Sequence, residues 1–188
     1  FWPEIKQFYN NDILPNINIE DQENYKEKRR IGENDDYICR LIRQDLIEEF
    51  ITHVKKQFLA LDVMVNPSIY ETNSLLLKTK PTLIEYAAFF GSIQVFKYLY
   101  LNKVKLTKSL WIYAIHGDNP ELINLLEEKD VFPIDRSYEK CLKESIKCHH
   151  NDVANYIICN LLNQDIENTN KEMNFNQNEY AYGFRYYN

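Results

Sequence analysis

Apolar positions recur with helical spacing along most of this chain, most clearly across Pro81–Asn102. Ile84, Tyr86, Ala87 and Ala88 form one apolar cluster, and Val95, Phe96, Tyr98, Leu99 and Leu101 form a second at i, i+3, i+4 intervals. Gly91 lies between them, where a residue free to take positive φ ends one helix and turns into the next. The small side chains of Ala87 and Ala88 let two helix axes come close, which places Ala88 at a helix–helix contact. The stretch therefore predicts two short antiparallel helices.

The same unit recurs in Tyr37–Val54, Ser109–Lys129 and Ser137–Leu162. Eight positions separate Ala87 from Val95, Ile38 from Leu46, Ala114 from Leu122 and Ser145 from Val153. In the first copy Ile42 takes the place of Gly91. Gly32–Asp36 breaks the chain before that copy and supplies capping residues. Lys55–Lys80 is an ordered insertion, with one extended piece at Phe58, Leu59, Leu61, Val63 and Val65 and another at Leu75–Leu77. Upstream, Phe1, Ile5, Phe8 and Tyr9 predict a short amphipathic helix with Pro3 in its first turn. Asp12–Asp21 reads as a loop and Gln22–Arg30 as a charged, solvated helix. Its run Lys26–Arg30 is a charged helix face rather than a targeting or phosphate motif. Asn163–Asn188 is a polar tail with an aromatic end.

The segment Thr82-Leu83-Ile84-Glu85-Tyr86-Ala87-Ala88 stands where an ankyrin repeat writes T-P-L-H-x-A-A. Gly91–Leu99 stands where it writes G-H-x-E-I-V-K-L-L, with Leu83 and Glu85 replacing the family's proline and histidine. The chain resembles the divergent ankyrin-like families expanded in unicellular eukaryotes, over about Asn34–Leu162. Copies are closer than that family's ~33 residues: 27 positions separate Val95 from Leu122, and 31 separate Leu122 from Val153. The shortfall falls in the connections, so the projecting hairpins are clipped.

The fold expected is all-α, an ankyrin-type helix–turn–helix solenoid with shortened inter-repeat hairpins. Residues 1–36 cap it, 37–54, 82–101, 109–129 and 137–162 are the repeats, 55–80 the insertion and 163–188 the tail. The resemblance implies a binding function in a groove formed by Arg40, Phe89, Phe90, His116 and Lys147. Lys103, Lys105, Lys108, Asp135 and Arg136 in the short connections extend that surface. The partner implied is another protein, bound by a monomer. The alternative is a structural repeat segment of a longer, multi-domain protein, which fits a sequence that begins at Phe1 without methionine.

Composition narrows the remaining classes. The 188 residues are 45% hydrophobic, enough for one domain with a real core. Net charge is −6 with both signs interspersed, which argues against nucleic acid as partner. No apolar run reaches the ~20 residues of a membrane span. Cys39, Cys141, Cys148 and Cys159 are unevenly spaced and do not form a secreted disulfide framework. The one Asn-x-Ser match, Asn66-Pro67-Ser68, is spoiled by its proline. These features lean toward an intracellular, cytoplasmic protein.

Two clusters carry candidate chemistry. Cys141, Cys148, His149 and His150 are zinc-ligand types but lack a C-x2-4-C knuckle, and Cys141 matches the packing position Leu83. They read as core, with a zinc-dependent regulatory module the lesser alternative. His116-Gly117-Asp118 suggests a His–Asp pair, but His116 aligns with Phe89, a contact position. No phosphate loop or Gly-x-Ser-x-Gly elbow occurs. No catalytic residue, cofactor or metal is therefore expected.

Overall fold

A computed structural model describes residues 22–134 and 136–162. The proposed N-terminal helix, the Asp12–Asp21 loop, Asp135 and the polar tail lie outside the described residues. Within them every named element is helical: α1 (Gln22–Ile31), α2 (Tyr37–Arg43), α3 (Ile47–Gln57), α4 (Ser74–Thr79), α5 (Leu83–Phe89) and α6 (Ile93–Leu101) come first. Then follow α7 (Leu110–Gly117), α8 (Pro120–Glu128), α9 (Glu139–Lys147) and α10 (Asn151–Tyr156), which runs on as a π-helix over Ile157–Leu162. No helix among the described residues is long and apolar enough to cross a membrane.

The helices begin where short polar side chains can satisfy their free N–H groups. The Asp36 carboxylate accepts from Ile38 N, and the Asn73 and Asn119 side chains each accept from two amides of α4 and α8. Thr82 and Glu85 form a capping box on α5. The Glu85 carboxylate is buried and also accepts from Thr107 Oγ1 at 3.0 Å and Ser109 Oγ at 2.5 Å. Glu85 thus joins the start of one helix pair to the connection leading into the next.

Helices pair as α2–α3, α5–α6, α7–α8 and α9–α10. The first helices of successive pairs also touch, α2 on α5, α5 on α7 and α7 on α9, while α3 packs on α6. One turn geometry joins each pair. Asp45, Gly91, Asp118 and His149 have φ of 51°, 64°, 45° and 60°. Each amide bonds the carbonyl three residues back, at Ile42, Ala88, Ile115 and Ile146.

This shared turn corrects the register of the first copy. It sets Asp45 against Gly91 and Leu41 against Ala87, three residues from the alignment of Ile38 with Ala87. Aspartate tolerates the left-handed conformation, so no glycine marks the turn in the sequence. The other three copies keep the register expected.

Small residues set the spacing between pairs. A Cβ on Gly117 would lie 2.2 Å from the Ala88 carbonyl oxygen and 2.7 Å from Gly91 N. Ala87, Ala88 and Ala114 are fully buried, among Tyr86, Phe96, Leu99, Trp111 and Leu122. The Trp111 indole N–H, buried with its ring, donates to the Val131 carbonyl.

The insertion is ordered and differs in detail from expectation. Leu75–Leu77 is helical, within α4, because Asn73 caps it and Leu76 packs into the core. An extended piece exists at Val63–Val65, where Val65 N bonds Pro81 O and Leu83 N bonds Val63 O. Phe58 is not part of it, since it ends α3 with positive φ and is exposed. Helix α1 rests on the insertion through Arg29, which donates to the Ile69 and Glu71 carbonyls at 3.0 and 2.5 Å. Lys28 reaches Asp35 and lies over the Tyr70 ring. Two bases of the charged run are therefore anchored.

Candidate functional site

The ends of α2, α5, α7 and α9 fall at the same point of each pair, so their last side chains form a row. Arg43 stands first, its guanidinium 5.8 Å from the Phe90 ring centroid. Phe90 meets Phe89 at 4.9 Å, edge-on, and Phe89 stacks on the His116 imidazole at 4.8 Å with 22° between planes. His116 Nε2 lies 3.1 Å from Glu144 Oε1, and Lys147 bonds Glu144 Oε2 at 2.9 Å. The row crosses four helix pairs without a break.

Of the residues expected in the groove, Phe89, Phe90, His116 and Lys147 lie in this row. Phe89 is buried, Phe90 and His116 are half-buried, and Lys147 is exposed. Arg40 does not lie there: it is exposed, with its guanidinium 4.9 Å from the Tyr37 ring. The turn register puts Arg43 at that position instead. Arg43 donates to the Asn34 carbonyl and the Tyr86 hydroxyl, both at 2.8 Å, and its Nε lies 3.0 Å from Glu33. Lys103, Lys105, Lys108 and Arg136 are exposed in the connections.

The candidate metal set Cys141, Cys148, His149 and His150 does not converge. Cys141 is fully buried in the core and His149 is an exposed turn residue. His150 Nδ1 bonds the Ile115 carbonyl at 2.7 Å. The His116–Asp118 pair does not form either, because His116 turns to Glu144 while Asp118 lies 3.7 Å from His150.

A different trio does converge. His116, Glu144 and Cys148 bring their ligand atoms within 4.8 Å of one another, all half-buried. Cys148 Sγ lies 3.5 Å from His116 Nδ1 and 3.8 Å from Nε2. Glu144 was not singled out in the sequence. Its signal was the i, i+4 spacing to Cys148, which puts both on one helix face, opposite a histidine 27 positions after Phe89.

Nucleophile, base and orienting acid is one reading of this trio. Two features disfavour it. The thiol is pushed up by burial and by Glu144, which works against a thiolate at neutral pH. The sulfur lies at 3.5 Å from one ring nitrogen and 3.8 Å from the other, so it is not directed at a single nitrogen that would take its proton. Burial holds His116 below its ordinary value and keeps it neutral. For Glu144, burial opposes charge, but Lys147 and His116 outweigh it and hold the carboxyl low. The result is a neutral imidazole, a carboxylate and a thiol facing one point.

The insertion contributes a small cavity of about 30 Å³ between Asn34, Glu71 and Leu76, room for about one water. Glu71 Oε1 accepts from Thr72 N and Asn73 N, while Oε2 has no partner among the described residues. Burial raises its carboxyl above the ordinary value.

No family model, curated protein or solved structure matched this chain in the comparisons made.

Proposed function

We propose that this chain is an ankyrin-type repeat module that binds another protein along the row from Phe90 to Lys147 and the connections between pairs. The reading rests on one observation. Side chains at one repeated position, linked through Phe90 and Glu144, form an unbroken aromatic and charged row over four helix pairs. A stack of pairs with short connections offers such a row as an extended binding face. Phe90 and Lys147 contribute the accessible part, while Arg43 and Phe89 hold the row in place from beneath.

The connection over residues 102–109 meets the start of α5 through Thr107 and Ser109, at the other end of these helices from the row, and offers a separate basic surface. Lys103, Lys105 and Lys108 are exposed, and the segment contains no carboxylate. A partner segment bearing acidic residues complements it, and complementary charge speeds association more than it adds affinity.

The test is capture from a lysate of the protein's own cells, comparing wild type with Phe90→Ala and with a Lys103/Lys105/Lys108→Glu triple variant. Circular dichroism checks that helicity is retained. A protein held by wild type and lost from both folded variants supports the proposal. Equal retention, or nothing retained by any form, overturns it.

A further inference from the structure

We propose that His116, Glu144 and Cys148 form a binding site for one divalent ion of the zinc class. The three donors come from two elements. His116 ends α7, whereas Glu144 and the following cap residue Cys148 lie on one face of α9. The nitrogen–oxygen separation is 3.1 Å and the nitrogen–sulfur separations are 3.5 and 3.8 Å. With Zn–N and Zn–O bonds near 2.0 Å and Zn–S near 2.3 Å, the edges of a tetrahedron run about 3.3–3.6 Å. All three ligand atoms lie within 4.8 Å of one another, and rotation of the Cys148 thiol toward Nε2 would close one such face, with the fourth position open.

The donor set selects the ion. Thiolate and imidazole suit zinc and disfavour calcium and magnesium, which take oxygen ligands. Neighbours already hold the ligands in place. Lys147 bonds Glu144 Oε2 and leaves Oε1 toward His116. Phe89 stacks on the imidazole and fixes the ring plane. Such supporting contacts are what orient ligands in metal sites. On binding, the thiol proton is released to solvent as the Zn–S bond forms, with no change of oxidation state.

The consequence is a clamp between the third and fourth helix pairs. An ion that binds only when α7 and α9 are docked stabilises the docked state in proportion to its concentration over its dissociation constant. The site differs from the zinc set suggested by sequence, sharing only Cys148 with it. It does not depend on the protein-binding proposal.

The probes are Zn²⁺ and Co²⁺ added to the full chain in a non-thiol reductant. Native mass spectrometry should show one zinc per chain, and cobalt should give a near-ultraviolet thiolate charge-transfer band. Cys148→Ser should abolish that band, and Glu144→Gln, an isosteric change, should weaken zinc binding by at least about tenfold. Cys159→Ser, at an exposed thiol, should leave both unchanged. Because His116→Ala removes a packed ring, Glu144→Gln and Cys148→Ser carry the test. Absence of a bound equivalent, or a cobalt band that persists in Cys148→Ser, overturns the proposal.

Discussion

His150 donates from Nδ1 to the main-chain oxygen of Ile115 at 2.7 Å, and so ties the turn of the fourth helix pair to the turn of the third. Ser92 and Asn119 hold the same position in their own pairs and make the same kind of tie. Ser92 Oγ donates to the Ile42 carbonyl at 2.6 Å, and Asn119 Nδ2 to the Gly91 carbonyl at 2.9 Å. Between the first two pairs Asp45 adds a second tie, its carboxylate accepting from Gln94 N and Val95 N at 3.0 Å. Three unlike side chains thus perform one repeated task, which a search for identical residues does not detect.

These ties should have graded costs. The Ile42 carbonyl keeps a second partner, Asp45 N at 2.9 Å. Ser92→Ala therefore loses one net hydrogen bond, about 1 kcal/mol. Asn119 also caps α8 through Glu121 N and Leu122 N, so Asn119→Ala should cost about 2 kcal/mol. Urea unfolding of both variants measures the order, and a larger loss for Ser92→Ala would count against the assignment.

Arg43 and Arg40 offer a sharper comparison, because they lie on one helix and differ only in register. Arg43 is half-buried and anchors the Asn34 carbonyl, the Tyr86 hydroxyl and Glu33. Arg43→Ala should destabilise by about 1.5–3 kcal/mol, as for hydrogen bonds to a charged group. Arg40→Ala at its exposed site should stay within about 0.5 kcal/mol. Thermal melts of the two variants side by side decide the point.

The helical pattern was legible because each pair buries a periodic apolar face, and three of the four registers follow from Gly91, Ala114 and Ser145. The first register was hidden because Asp45 supplies positive φ without glycine. Leu75–Leu77 was misread because three leucines in a row carry no period, and only the Asn73 cap distinguishes helix from strand. The row of contacts was legible in part, since Phe89, Phe90, His116 and Lys147 follow from the spacing. Glu144 was not, because its role depends on a neighbour 28 residues away in the adjacent pair.

Close approach of the second and third pairs makes a steric prediction at Gly117. The nearest atoms to an added Cβ are the Ala88 oxygen and the Gly91 backbone, which cannot swing aside like a side chain. Gly117→Ala should therefore cost about 3 kcal/mol or more, at or beyond the upper end of ordinary overpacking. Ala88→Leu, at a fully buried site where α5 meets α7, should cost about 1–3 kcal/mol. Wild-type melting temperatures for both would show that the pairs do not pack as described.

The last prediction concerns pH. His116 is held below its ordinary value of 6.5, first by burial and then by His150 and Lys147, against the pull of Glu144. The unfolded chain therefore takes up this proton at a higher pH than the folded one. Stability from the neutral ring is complete above pH 6.5 and is lost as pH falls through the folded value. Glu144 acts in the same direction at lower pH. Its carboxyl is held below 4.5, so its contribution is present above that value and lost beneath it. Melting temperature in chelator-treated buffer should thus fall as pH drops from 7 toward 5. His116→Gln, which carries no titrating ring, should lose part of that slope while keeping the steeper fall below 4.5. A wild-type melting temperature that rises on acidification relative to the variant would mean that the imidazole is stabilised in its charged form. The ion pair with Glu144, not burial, would then govern this end of the row.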